Sequence, residues 1–580
     1  MPVRTQKALV ELANPDRHQR NVTIMITRTM FLAAIVCAAL LTGIAQDGSQ
    51  HRHDEEKALT KLGRVNFPIS CSNKAQQQFN QAVAWLHSFE YEEAEKMFTQ
   101  VSVVDPRCGM AHWGIAMSNF HQLWVPPTPA ELQKGSSAAA EAIRLGAATQ
   151  RERDYIDAIA TFYKDAGRVD HKTRTFAYSD SMKKIHENYQ KDDEASVFYA
   201  LSLISTGMMA RDKSYTREKE AAEILNRILA RQPRHPGVAH YLIHGYDFPA
   251  LAHLALPAAR SYASIAPASA HAQHMPSHIF IRLGMWPQAI KSNLDAEAAA
   301  KAFANRHHMP GAWDEQLHAM DYLAYAYLQG AQDKKAMAVL QDMNKLSQVD
   351  PTTFKVAYAL SAIPARYALE RRQWSEAAKL PLGHPRMTAF PWTNFPWATA
   401  HIYFARAIGA ARLGDTAPAR KAVEELASIR NSLTEVRGGY DWGKQVDIER
   451  QVASAWVKYA EGAHDEALEL MRAAADLDDV TDKHSVTPGA VLPAREQLGE
   501  LLLELKQPVA ALEAFETALR NTPNRFNAVY GAARAATLSD NRQKARDYYQ
   551  KLVELGRFAD SVRPEINEAK AFLAKTGSAR

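Results

Sequence analysis

Two histidine clusters fall between positions 240 and 278, His240-Tyr-Leu-Ile-His244 and His271-Ala-Gln-His274-Met-Pro-Ser-His278, five histidines in all, with His253 between them. The whole chain holds 22 histidines in 580 residues, a density that would place one or two in such a window. Four-residue spacing sets two imidazoles on one face of a helix, the arrangement of short zinc and copper chelates. Asp247, Met275 and His253 stand nearby, and His307, His308 and His318 follow. Histidine with methionine or carboxylate suits zinc or copper better than magnesium or calcium. A coordination position left open on such an ion activates water or oxygen. On this reading the ligands are His240, His244, His271, His274 and His278. The other reading needs no metal: His240, His244, Asp247, His274, His278 and Arg282 line a polar groove and hydrogen-bond a ligand directly. No catalytic residue is nominated. The chain has no Gly-rich phosphate loop, no Gly-x-Ser-x-Gly elbow, no His-Glu-x-x-His helix and no paired-cysteine metal motif.

Helices must position these side chains. Hydrophobic residues make up 47% and charged residues 23%, ordinary for a globular protein. Alanine is abundant and alternating β-branched runs are scarce, which favours helix throughout. At 580 residues the chain exceeds one compact core, so several domains or an extended array are expected.

An array is what the spacing gives. Ala94, Phe98 and Val101 lead to Pro106; Ala221, Leu225 and Ile228 lead to Pro233; Ala511, Phe515 and Ala518 lead to Pro523. Ala545, Tyr549 and Leu552 repeat the pattern of Ala511, Phe515 and Ala518 in phase, one repeat further on. Weaker copies surround Ala289, Ala336 and Ala467. The small residue admits a paired helix, the aromatic fills the gap between helices, and proline stops the turn. The pattern, and the step from Ala511 to Ala545, resemble the second helix and the period of a tetratricopeptide repeat. Pro126-Pro-Thr-Pro129 interrupts the array, as do Phe390-Pro-Trp392 and Phe395-Pro-Trp397. The latter aromatics either cap a core or fold over the groove as a lid.

Phe248-Pro249 and Trp286-Pro287 occupy matching turns of successive repeats. Counting back from each makes His240 and His278 equivalent positions on the first helices of adjacent hairpins. First helices line the inner surface of such a stack, about 8–10 Å apart, so the two facing imidazoles are expected to reach one ion. His274 precedes Met275-Pro276, where proline suits a helix start, and can fold back towards His278. His235, before Pro236-Gly237, reads as a turn cap.

Upstream, Arg28 precedes an apolar run from Met30 to Ile44, too short to span a bilayer and followed by small residues. An export signal over 1–45 is expected, giving a periplasmic or secreted chain with no membrane span in its mature part. Residues 1–45 carry +3 of the net +5, leaving +2 beyond them. No basic block points to nucleic acid. Cys71 and Cys108 flank one predicted hairpin, whose two ends lie at the same edge, so a disulfide between them is expected in an oxidising compartment.

Several runs carry a family resemblance: Ala84-Trp-Leu-His-Ser-Phe89, Cys108-Gly-Met-Ala-His-Trp-Gly114, His235-Pro-Gly-Val-Ala-His-Tyr-Leu-Ile-His244, His274-Met-Pro-Ser-His-Ile279 and Leu317-His-Ala-Met-Asp-Tyr322. Together they resemble a bacterial family of exported tetratricopeptide-repeat proteins without an established reaction, over most of residues 65–330. The resemblance implies fold and export, and makes the block around His240, His244, His274 and His278 a signature without naming what it holds.

The expected fold is an all-α solenoid of stacked hairpins. Its parts are a signal peptide at 1–45, a disordered tail at 46–64, a solenoid with the histidine cluster at 65–380, a Pro/aromatic linker at 381–400 and a second solenoid at 401–580, so that two superhelical halves flank the linker. The leading functional expectation is a scaffold binding a peptide or protein in its concave groove. The alternative is a metalloprotein or metalloenzyme with zinc or copper at residues 240–278.

Overall fold

The computed structural model of the chain describes residues 62–123, 126–433 and 440–577. The signal peptide expected at 1–45, and the tail as far as residue 61, lie outside the described residues. The last positions of the expected tail, 62–64, pack on the array. Leu62 is buried, and the Arg64 amide donates to the Arg234 carbonyl at 2.9 Å.

Helices follow one another as antiparallel pairs, and each pair packs on the next. Among the described residues the strands are two-residue pieces, Ala312–Trp313 and Val349–Asp350, paired in parallel. The architecture is an all-α solenoid of tetratricopeptide type.

The repeat positions explain the stacking. Ala94, Phe98, Val101, Ala221, Leu225, Ile228, Ala511, Phe515, Ala545, Tyr549 and Leu552 are all buried. The close approach is visible at Gly114: a Cβ there would stand 2.2 Å from the Phe98 ring, so only glycine lets the next helix settle on that aromatic. Burial of such positions between neighbours spreads the stabilisation along the array.

Residues Leu62–Arg580 form one compact unit, without a division at 381–400. The helices Phe354–Glu370 and Pro396–Arg412 on either side of that stretch pack directly on each other. Within it, Trp397 stacks on Trp442 at 3.6 Å with planes 6° apart, so this ring packs as core. The Pro126–Pro129 interruption ends sooner than its prolines suggest. Thr128 caps the helix Pro129–Leu145 with Glu131 closing a capping box, and proline fits the first turn because it needs no partner for an N–H.

Distant hairpins also lock together. Buried Arg525 pairs with Glu496 at 2.8 Å and with Glu370, while Trp286 donates to the Asn524 carbonyl at 2.8 Å. Between helices His464–Asp479 and Ala494–Glu504, residues 484–492 are mostly buried. There the Val486 carbonyl accepts from Tyr322 at 3.0 Å, and the Gly489 carbonyl accepts from Tyr358 at 2.9 Å. Cys71 and Cys108 are joined by a disulfide, with Cα atoms 5.4 Å apart.

Candidate metal centre

Four short stretches of helix carry the candidate ligands. His235 caps the helix Pro236–Tyr246, its Nδ1 accepting from the Val238 amide at 3.3 Å, and Pro236 takes the first turn. This helix presents His240 and His244 one turn apart. Ser269 caps the short helix Ala270–His274, which ends at Met275-Pro276, and a second segment, Pro276–Arg282, continues from there. The break turns His271 and His274 towards His240 and His278. The next first helix, Asp314–Gln329, brings His318 and Tyr322.

The six histidines make two triads. In the first, His240 Nε2 lies 2.9 Å from His244 Nε2 and 3.1 Å from His271 Nε2. In the second, His274 Nε2 lies 3.0 Å from His278 Nε2, and His318 supplies the third nitrogen. Nitrogens held by one tetrahedral ion at about 2.0–2.1 Å stand about 3.3 Å apart, close to these separations. Five of the rings are buried and His271 is half-buried.

The outer ring nitrogens fix which inner ones carry lone pairs. His240 Nδ1 lies 2.6 Å from the His87 carbonyl, which only accepts, so Nδ1 holds the proton and Nε2 the lone pair. His278 Nδ1 donates to Asp247 at 2.9 Å. His274 Nδ1 donates to the Asn293 amide oxygen at 2.7 Å, an orientation set because the Asn293 nitrogen donates to the Ala289 carbonyl. The His274 and His278 Nε2 atoms therefore meet lone pair to lone pair. Tyr322 lies 3.2 Å from His278 Nε2, but its proton has an acceptor in the Val486 carbonyl. Hydrogen bonds cannot satisfy this convergence; a cation can.

Protonation is not that cation. Burial pushes His240, His244, His271, His274 and His318 well below the usual imidazole range, and neighbouring imidazoles push further. Burial lowers His278 as well, against the opposing pull of Asp247. Burial alone would raise Asp247. Lys483 and Arg282, together with His278, outweigh it and hold this carboxyl below the carboxylate range, so it stays an anion. A carboxylate behind a ligating imidazole orients the ring and raises its basicity.

Aromatic rings flank the first triad. Phe89, held at a left-handed φ of 58°, lies 4.4 Å from the His240 ring and stacks on His244 at 5.5 Å. Tyr262 stacks on the other side of His240 at 5.0 Å. A third buried group, His87, Glu194 and His235, is closed by its own hydrogen bonds. His87 meets Tyr241 and Glu194, and His235 meets Glu194 and the Val238 amide. Its effect on the centre is to fix His87, whose carbonyl sets the tautomer of His240. A Cβ at Gly237 would stand 2.7 Å from His87 Nδ1, so glycine there permits that packing.

The six residues expected to line a polar groove divide in two. His240, His274 and His278 are enclosed, while His244, Asp247 and Arg282 reach the wall of a cavity of about 390 Å³. Leu123, Met208, Met209, Tyr215, Phe248 and Tyr440 give that cavity an apolar side. Beside the site, the Val486 and Gly489 carbonyls lie against Tyr322 and Tyr358 of the neighbouring helices. His253, His307 and His308 are exposed, and Met275 is buried outside both triads. His318, Tyr322, Asn293 and His87 complete the site beyond the five expected histidines. His318 had a signal: it follows His278 by nearly the step that separates His278 from His240.

Fold and site together define a tetratricopeptide-type helical-repeat protein with two histidine triads in its interior. No family model matches the chain, and no curated protein matches it. Among solved structures it is similar to a tetratricopeptide repeat protein from Parabacteroides merdae, at 11% identity over 53% of this chain and 97% of that one, with a TM-score of 0.28. It is also similar to the human IFIT1 dimer with m7Gppp-AAAA, at 12% identity over 87% of this chain and 100% of that one, with a TM-score of 0.35. Neither likeness bears on what the histidines hold.

Proposed function

We propose that this protein is an exported metalloprotein, holding zinc or copper in its buried histidine triads and serving small molecules that enter by the adjoining cavity. The single observation that carries the reading is the meeting of His274 Nε2 and His278 Nε2 at 3.0 Å with both Nδ1 protons already donated elsewhere. All-imidazole ligation suits zinc and copper. The alternative of a peptide groove loses support at these residues, because His240, His274 and His278 are buried and do not reach the cavity wall. The disulfide and the apolar run Met30–Ile44 support export into an oxidising compartment.

The test is elemental analysis of the purified full chain beside a His240→Ala, His278→Ala double variant. Zinc or copper in stoichiometric amount, lost in the variant while its helical circular dichroism persists, is the expected result. A chain that carries neither metal, and takes up neither on incubation, overturns the reading.

A further inference from the structure

The two triads abut. Within the first, the His244 and His271 rings are 6.3 Å apart. Across the two triads, His244 and His278 are 6.4 Å apart and His271 and His274 6.5 Å. Passing from one triad to the other adds only 0.1–0.2 Å to that span. Paired ions in a shared site sit about 3.5–4 Å apart. Each triad supplies three nitrogens, which leaves every ion a position for something that is not protein.

Charge says what belongs in that position. The candidate ligands are neutral imidazoles, with no carboxylate among them, so two divalent ions would leave four uncompensated positive charges in a buried site. Asp247 is one anion beside them, and Arg282 and Lys483 are cations against it at 2.8 and 3.6 Å. A small anion between the ions relieves the repulsion. The cavity reaches the seam where it is needed: His244 of the first triad lies on its wall, beside Asp247, which holds His278 of the second. At the seam itself Arg282 and Lys483 stand beside the single carboxylate of Asp247, two cations to one anion, which favours an entering anion there. Between zinc and copper, the higher intrinsic affinity of nitrogen sites for copper(II) favours copper.

Resting on the metal reading above, we propose that the two triads form one dinuclear copper centre, His240, His244 and His271 on one ion and His274, His278 and His318 on the other. A single small anion, of the size of hydroxide or azide, bridges the ions from the cavity side.

The experiment loads metal-free full chain with copper(II). It compares copper by elemental analysis with the unpaired spins counted by electron paramagnetic resonance, copper(I) being excluded by a chelator assay on denatured samples. The expected result is two coppers per chain with fewer than one tenth of the spins, because bridged copper(II) ions pair their electrons. Sodium azide is expected to titrate to one per copper pair. His271→Ala and His318→Ala are each expected to retain one copper with a full spin count; His271 is half-buried, which favours a folded variant, and His318→Gln serves if His318→Ala loses its helical signal. Two coppers with a full spin count, one copper per chain, two azides per pair, or two coppers retained in the variants each overturn the dinuclear centre while leaving metal binding intact. No copper at all overturns both.

Discussion

His274 and His278 point their Nε2 atoms at each other across 3.0 Å, while Asn293 and Asp247 take the protons on the far side of each ring. A pair of buried lone pairs in contact is an unfavourable arrangement unless a positive charge sits between them. The remaining expectations grow from that relationship and from the framework that enforces it.

Asp247→Asn keeps an acceptor for His278 Nδ1 but removes the charge behind the ring. Copper or zinc affinity is expected to fall about 10- to 100-fold, the usual effect of altering a partner of a ligating histidine. Competition with a chromophoric chelator measures it, and unchanged affinity would mean His278 is not a ligand.

The metal-free protein should lose stability on acidification. Its clustered histidines have folded pKa values below the unfolded value, so between the two the unfolded chain binds more protons and stability rises with pH. Their contribution is present above about pH 6.5 and is lost as pH falls below it, with a slope approaching about 1.4 kcal/mol per pH unit for each histidine still neutral in the fold. Urea midpoints of the metal-free chain from pH 7.5 to 5 should fall steeply. A flat profile would contradict the burial of neutral imidazoles.

Arg525→Met leaves Glu370 and Glu496 buried without their shared cation. Breaking such a group by removing one partner costs about 3–5 kcal/mol, and the variant's urea midpoint should drop accordingly. A change below about 1 kcal/mol would show that the distant hairpins do not depend on this pair.

The Cys71–Cys108 bond spans 37 residues. Chain entropy assigns a loop of that length about 4 kcal/mol, so the Cys71→Ser, Cys108→Ser variant should unfold at lower urea than the oxidised protein. Coincident unfolding curves would contradict a stabilising role.

Much of the framework was legible in the sequence because repeat packing writes itself locally. Ala511, Phe515 and Ala518 needed only helical spacing, and the in-phase step to Ala545 fixed the stack. The matching turns at Phe248-Pro249 and Trp286-Pro287 put His240 and His278 on successive first helices, but the two fall in separate triads rather than on one shared ion. His318 was less visible. Its step from His278 is slightly longer than the one before it, and Tyr322, rather than a second histidine, fills the position one turn on. The carbonyl of His87 leaves no trace in residue type, although it fixes the proton on His240. Residues 480–493 carry no periodicity, so nothing local signalled that Val486 and Gly489 would meet Tyr322 and Tyr358.

X-ray absorption of the copper- or zinc-loaded full chain tests the central claim most directly. The expected spectrum has nitrogen neighbours at about 2.0 Å, with the outer-shell scattering of imidazole rings and no sulfur. A shell of sulfur, a shell of oxygen without imidazole scattering, or no bound metal after loading would contradict a histidine-held ion in this fold.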